Sequence, residues 1–266
     1  MIMIPLIKYK GHYGKNEGSL MHEFSRTELL IGPEGLEKLK KSQVLIFGLG
    51  GVGSYTAEAL ARIGIGSLKL VDHDQISLSN INRQIHALHS TLGKYKVEVM
   101  AERIKDINPK VQVETYTTFY TQEEAEFFLQ DKPDYVIDAI DTVKSKVSLA
   151  IECCRRNIRF ISCMGTGNRL NASGFQIADI SKTSGDPLAK AVRKLLRLEG
   201  ITQGFKVVFS PLPSLKPRPA EPSCLDGIDS CFPQKRQVPG SVSFVPPVAG
   251  LLMAGEVVRD ILGYND

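Results

Sequence analysis

Between residues 43 and 164 short apolar runs alternate with longer amphipathic stretches, a pattern that predicts strands and helices in turn. Residues 44–47, reading VLIF, contain no polar position, the mark of a parallel strand covered on both faces. The helix predicted over 93–107 carries Val97, Ala101 and Ile104 on one face and stops before Pro109, whose ring disfavours a helical residue ahead of it. The whole pattern gives strands over 43–47, 67–71, 111–116, 135–139 and 159–164, and helices over 33–41, 52–63, 93–107, 122–129 and 143–156. That order implies an α/β protein on a doubly wound, Rossmann-like parallel sheet, with ligands at the carboxyl ends of the strands.

Beyond residue 170 the pattern changes. A strand over 173–180 precedes a helix that starts at Pro187 with Asp186 as its cap, the residue types preferred at those two positions. Leu188, Val192, Leu195 and Leu196 form its apolar stripe; Lys190, Arg193, Lys194 and Arg197, spaced i, i+3, i+4, i+7, form a basic ridge on the other face. Residues 248–262 are apolar but interrupted by Glu256, Arg259 and Asp260, too short and too charged to span a membrane. The expected organisation is a stretch over 1–20 that is disordered or precedes the true start at Met21, a nucleotide-binding unit over 21–170, and a C-terminal extension over 171–266. That extension, of mixed strand and helix with a Pro-rich loop over 211–239, belongs to the same globule.

Chemistry enters at the turn after the first strand. Gly48, Gly50 and Gly53 spell G-x-G-x-x-G at the entry to a helix. Gly48 permits the tight turn, Gly50 lets the backbone approach a phosphate, and Gly53 lets the helix close on the sheet, while the helix N-terminus points free N–H groups at an anion. Asp72 ends the second strand, where an acid takes a ribose hydroxyl. Taken alone this fits NAD or FAD. The residues that follow do not suit hydride transfer: NINRQ at 80–84, Lys96 and DAIDT at 138–142 supply cations for a triphosphate, a carboxylate for magnesium and an arginine for developing charge. Singly, Arg83 and Lys96 read as surface charges and Asp141 as a helix cap; their joint placement at strand ends favours a nucleotide site. His73, His86 and His89 lack metal-ligand companions and are assigned no chemistry.

This combination resembles the ubiquitin-activating-enzyme-like superfamily, whose members activate a carboxylate as an acyl-adenylate. The resemblance of the nucleotide site runs over 26–163. Within it, Gly48, Gly50, Gly51 and Gly53 would cradle phosphate, Asp72 would bind ribose, and Asn80, Arg83 and Lys96 would hold the triphosphate of ATP. Arg83 would stabilise charge at the α-phosphate, with Gln84 assisting in positioning. Asp141 would hold Mg²⁺, while Asp138, the other acid of the pair, would orient the loop. Arg26 resembles the arginine that reaches the partner subunit's nucleotide, which implies a homodimer. A monovalent cation at the dimer interface belongs to the same resemblance, without ligands assigned.

Composition narrows the branch. The chain has 266 residues, 42% hydrophobic and 23% charged, with a net charge of +4, which permits an RNA partner without requiring one. Its five cysteines, Cys153, Cys154, Cys163, Cys224 and Cys231, form no C-x-x-C pair, whereas sulfur-carrier-activating relatives typically bring two such zinc knuckles. No disulfide pattern or signal peptide is visible, and a reducing cytoplasm is expected.

The segment over 179–197 reads D-I-x-K-T-x-x-D-P-L-A-K-x-V-R-x-x-L-R. It is similar to the hallmark of the tRNA threonylcarbamoyladenosine dehydratases, a resemblance that extends over 26–262. It implies ATP-dependent cyclisation of threonylcarbamoyladenosine in tRNA: the threonyl carboxylate is adenylated, an internal atom attacks it, and AMP leaves. Lys190, Arg193, Lys194 and Arg197 would then contact tRNA. Better-known dehydratases carry a cysteine shortly before the small-residue segment leading into the last helix; here that place reads Gln237-Val238-Pro239-Gly240. Cys231, upstream, is the thiol candidate, although ring closure within one substrate needs no enzyme nucleophile. Two other readings stand beside this one: an adenylating enzyme for a ubiquitin-like sulfur carrier, with a sulfur-relay partner, and a nucleotide-binding regulatory module without turnover.

Overall fold

The VLIF run is continuous because both of its faces are covered. Val44 and Ile46 pack with Leu60, Met100 and Met253 on one side of the sheet, and Leu45 and Phe47 with Phe128, Val136 and Leu149 on the other. The computed structural model describes residues 21–218 and 239–264; the expected N-terminal stretch, Cys224 and Cys231 lie outside them. In chain order the elements are α1 (Ser25–Lys41), β1 (Gln43–Phe47), α2 (Gly53–Ile63), β2 (Ser67–Val71), α3 (Lys96–Ile107), β3 (Gln112–Tyr116), α4 (Ala125–Leu129), β4 (Tyr135–Asp138), α5 (Val143–Arg156), β5 (Phe160–Cys163), β6 (Gln176–Asp179), α6 (Pro187–Leu198), β7 (Lys206–Phe209) and α7 (Val245–Leu262).

One seven-stranded sheet runs β3-β2-β1-β4-β5-β7-β6. All pairs are parallel except β6 with β7. Strand order reverses at β1, which pairs with β2 on one edge and β4 on the other, so a crevice opens at the carboxyl end of this pair. The doubly wound α/β reading holds, and the C-terminal strands complete the same sheet.

Several boundaries differ from the sequence pattern for physical reasons. The helix expected over 33–41 is the second half of α1, which bends at Gly32 (φ 72°, ψ 168°); a first half begins at Ser25. α3 starts at Lys96 rather than 93 because Gly93 sits in a turn at φ 79°. The helix expected over 122–129 opens as a 3₁₀ turn, Gln122–Glu124, before α4. β7 went unpredicted, four residues inside a Gly-rich connection. On α6 the buried stripe is Ala189, Val192 and Leu196; Leu195 faces outward.

α7 lies on α2 at close range. A Cβ at Gly250 would come within 2.4 Å of the Val52 carbonyl, and the Thr56 hydroxyl donates to Gly250 O at 3.0 Å. Among the described residues no helix is long and apolar enough to cross a membrane.

Candidate active site

A cleft of about 580 Å³ opens at the strand-order reversal. It runs from the glycine loop after β1, past the ends of β2 and β4, to the N-terminus of α6.

Gly48 and Gly53 occupy positions that no side chain could take. Gly48 has φ +87°, its N–H donates to Val71 O at 2.8 Å, and a Cβ there would lie 2.7 Å from Ala139 O. At Gly53 a Cβ would meet Gly48 O at 1.8 Å, so any side chain would push α2 off the turn. A Cβ at Gly50 would meet nothing within 4 Å: the space above it is cleft, open to a ligand. Gly51 is packed, its Cβ position 3.0 Å from Pro246 and 3.2 Å from Arg83.

Asp72 is buried, and both its oxygens are engaged. Oδ2 accepts from Leu49 N at 2.6 Å and Oδ1 from Asp74 N at 2.9 Å, so this carboxylate ties the glycine loop to the end of β2. Burial pushes its pKa up, against the pull of Lys96 and the two backbone donors. Lys96, at the start of α3, is also buried; its Nζ donates to Asp74 Oδ2 at 2.5 Å and lies 4.0 Å from Asp72. Sequence reading missed Asp74, which neutralises the cation that a triphosphate would engage.

The NINRQ segment supplies one wall. Asn80 Oδ1 accepts from Ser77 N at 3.1 Å and fixes the local turn. Arg83 is held by Nη1 donating to Ser79 O at 2.9 Å and to Asn82 Oδ1 at 3.0 Å. Burial draws its pKa down, while the nearby Asp141 works the other way. Gln84 is 5% exposed and lines the cleft, and its Oε1 has no hydrogen-bond partner. A buried amide oxygen in the cleft wall without a protein donor is an acceptor open to water or a ligand.

The two acids of DAID separate. Asp138 is fully buried beneath the cleft: Oδ2 accepts from Lys146 Nζ at 2.7 Å and from the Ser162 hydroxyl at 2.6 Å, and Oδ1 accepts from Ile140 N at 3.0 Å. With no face toward solvent, it anchors the loop over 139–141. Asp141 is exposed and lines the cleft with Arg83. Sequence reading also missed Lys146 and Ser162. The available signal was a lysine on the same face of α5 as Leu149, Ala150 and Cys153, all buried.

The far end of the cleft is built from loops. Arg169 is buried and donates through Nε to Gly165 O at 3.1 Å, through Nη1 to Ser210 Oγ at 3.1 Å and Leu212 O at 2.6 Å, and through Nη2 to Ser210 O at 3.3 Å. Asn168, at φ +58°, receives Gly240 N on its side chain at 2.6 Å and Leu215 N on its carbonyl at 2.7 Å. One residue thus pins the chain on both flanks of 219–238 at the cleft mouth. Asp186 caps α6, Oδ1 accepting from Ala189 N at 3.0 Å.

The remaining candidates are divided between the cleft and other surfaces. On α6, Lys190, Lys194 and Arg197 are exposed, but the Arg193 guanidinium turns back onto the Thr183 carbonyl at 2.8 Å and onto its hydroxyl, which interrupts the ridge. Arg26 is exposed on the first turn of α1 and does not line this cleft. Cys163 does, yet burial pushes its thiol up to about 12, leaving no thiolate at neutral pH. Cys231, the thiol candidate, is outside the described residues. His73 stacks edge-on with Phe119, and His86 is buried away from the cleft.

The ThiF family matches residues 24–266. A tRNA threonylcarbamoyladenosine dehydratase of Bacillus subtilis is 49% identical over 243 residues, 91% of this chain and 96% of the relative. One from Haemophilus influenzae is 46% identical over 182 residues, 68% of this chain and 70% of the relative. The solved structure of the Escherichia coli tRNA N6-threonylcarbamoyladenosine dehydratase with AMP superposes with a TM-score of 0.81 at 32% identity, covering 91% of this chain and 94% of that one. The same enzyme with ATP gives 0.80, again at 32% identity and with 91% and 94% covered.

Proposed function

The chain belongs to the ThiF family, and on that premise we propose that it converts N6-threonylcarbamoyladenosine in tRNA to its cyclic form, using ATP and releasing AMP and pyrophosphate. The threonyl carboxylate attacks the α-phosphate and displaces pyrophosphate. An atom of the same modification then attacks the acyl carbon, AMP departs, and the net change is loss of one water. The observation that carries the reading is one continuous cleft joining the glycine loop to the cap of α6, in a chain similar over nine-tenths of its length to a named dehydratase.

In this reading the backbone at Gly48, Gly50 and Gly51 receives the phosphates at the start of α2, and Arg83 meets the charge that develops at the α-phosphate, helped by Gln84. Asn80 and Lys96 bind further phosphate oxygens, and Asp72 holds the glycine loop beside the ribose. Asp141 is the residue that would hold Mg²⁺, which would neutralise triphosphate charge. The exposed carboxylate of Asp141 on the cleft wall supports this role. Lys190, Lys194 and Arg197 offer phosphate contacts to tRNA.

Arg26 serves a homodimer here, reaching the partner's nucleotide. Leu29 and Leu30, three and four positions further along α1 and so on the same side of the helix, are 81% and 84% exposed, apolar side chains of the kind an interface covers. A monovalent cation at that interface and a cytoplasmic location belong to the same proposal.

The test supplies ATP with tRNA carrying the modification, tRNA without it, or a ubiquitin-like sulfur-carrier protein. AMP, pyrophosphate and the cyclic nucleoside, seen by mass as loss of water, are measured. AMP and cyclic product with the modified tRNA alone is the expected result. AMP with the carrier alone would establish a sulfur-carrier activator, and no AMP in any arm a regulatory module.

A further inference from the structure

Asp186 is 3% exposed and lines the cleft, yet it uses only half of its carboxylate. Oδ1 caps α6, whereas Oδ2 has no hydrogen-bond partner. Its ion-pair partner, Arg169 Nη2, stands 3.6 Å away, beyond hydrogen-bond distance, and one N–H of that nitrogen donates to Ser210 O. The space in front of the carboxylate is held open by a glycine: a Cβ at Gly165 would sit 3.6 Å from Oδ2. A carboxylate oxygen in the cleft wall, sealed from solvent and ion-paired to a guanidinium that offsets its charge without hydrogen-bonding it, is an acceptor prepared for an incoming N–H or O–H.

We propose that Asp186 Oδ2 is the catalytic base of ring closure, accepting the substrate's urea N–H and taking its proton as the ring forms. The inference rests on the dehydratase reading and adds the group that completes its second step. As the internal nucleophilic atom of the urea bonds to the acyl carbon, the bond from that carbon to the phosphate oxygen breaks and its electron pair leaves with AMP. The urea N–H proton passes to Asp186 and from there to solvent. Without that transfer the cyclic product would carry a positive charge. The first step, displacement of pyrophosphate by a carboxylate, releases no proton and makes no demand on Asp186. The cap is a separate duty: Asn and Ser keep an N-cap oxygen but lack the basic carboxylate.

The two steps are read apart in Asp186→Asn and Asp186→Ser, each as full-length protein with ATP and modified tRNA. ATP–pyrophosphate exchange follows adenylation, and the cyclic nucleoside follows closure. Loss of a general base slows the step it serves by about 100-fold or more, so cyclic product should fall by that factor while exchange falls by less than about threefold. AMP should then outrun cyclic product as the stalled adenylate meets water. Wild-type closure rates in either variant would overturn the assignment, as would exchange and closure falling together, which marks a structural role only. Failure of the wild-type protein to form cyclic product would instead overturn the dehydratase reading.

Discussion

Lys146 Nζ lies 2.7 Å from Asp138 Oδ2, and both side chains are sealed from solvent beneath the cleft floor. The ammonium also donates to Ser162 Oγ at 3.1 Å and to Cys163 O at 2.9 Å, so its three protons reach the last residue of β4 and the last two of β5. The pair joins the two strand ends from which the loops over 139–141 and 164–168 depart. A buried pair of this kind adds little net stability, but removing one partner strands a charge. Lys146→Met should therefore lower unfolding free energy by about 3–5 kcal/mol in urea titrations. Adding Asp138→Asn should restore part of that loss; a strictly additive double variant would show the two groups to be uncoupled.

The glycine loop allows fold and ligand effects to be separated. Gly50→Ala places its Cβ in open cleft and should change stability by less than about 0.5 kcal/mol. ATP affinity should nonetheless fall by about tenfold or more, because the methyl group occupies the line of phosphate approach. Gly53→Ala collides with the Gly48 carbonyl and should lose about 1–3 kcal/mol of stability, measured by the same denaturation. Unchanged ATP binding in Gly50→Ala, by calorimetry, would remove the phosphate from this loop.

Arg83 and Asp141 should part company in kinetics. If the half-buried guanidinium acts on charge that develops at the α-phosphate, Arg83→Ala should lower turnover by about 100-fold while ATP affinity falls far less. Asp141 is exposed, so Asp141→Ala should keep the melting temperature and lose ATP–pyrophosphate exchange. Retained exchange would deny it the metal.

What was legible in the sequence was whatever depends on a local rule. The VLIF run, the glycine spacing and the Asp186–Pro187 helix start each obey a constraint set by a few neighbouring residues, and each appears where expected. Residues whose roles come from long-range partners were not legible. Asp74 gains its meaning from Lys96, 22 positions on, and Arg169 from carbonyls more than 40 positions away. Arg193 looked like one more ridge cation by helical spacing, but spacing cannot show that Thr183 lies within reach. β7 was hidden because a four-residue strand at a Gly-rich junction carries too few positions to display a period.

His86 makes stability fall in acid. Burial first, then the charges of Lys96 and Arg103, hold its pKa down at about 3 from an ordinary 6.5, and neither ring nitrogen has a hydrogen-bond partner. The imidazole is neutral in the folded protein, whereas the unfolded chain takes up a proton below about 6.5. Its contribution is therefore fully present above that pH and is lost as pH falls from about 6.5 toward 3. By pH 5 the loss should reach about 2 kcal/mol. His86→Leu should flatten this part of the stability profile, as read by urea titration at pH 7 and pH 5; an unchanged slope would mean the ring is protonated in the folded state.

The basic face of α6 divides between binding and folding. Arg193 donates to the Thr183 carbonyl and hydroxyl, so it holds the loop that leads into the helix, while Lys190, Lys194 and Arg197 stand exposed. Arg193→Ala should thus cost about 1.5–3 kcal/mol of stability, the range for a hydrogen bond from a charged donor. Lys190→Glu with Arg197→Glu should leave stability and ATP affinity in place and act on tRNA alone. Each phosphate contact releases counterions, so losing two should reduce the salt slope of tRNA binding by about 2 as well as weakening it. The measurement is tRNA affinity over a series of salt concentrations, with ATP binding as the check on fold. An unchanged slope in the folded double variant would make this face a solvated helix surface and send the search for the tRNA contact to the cleft mouth around Asn168.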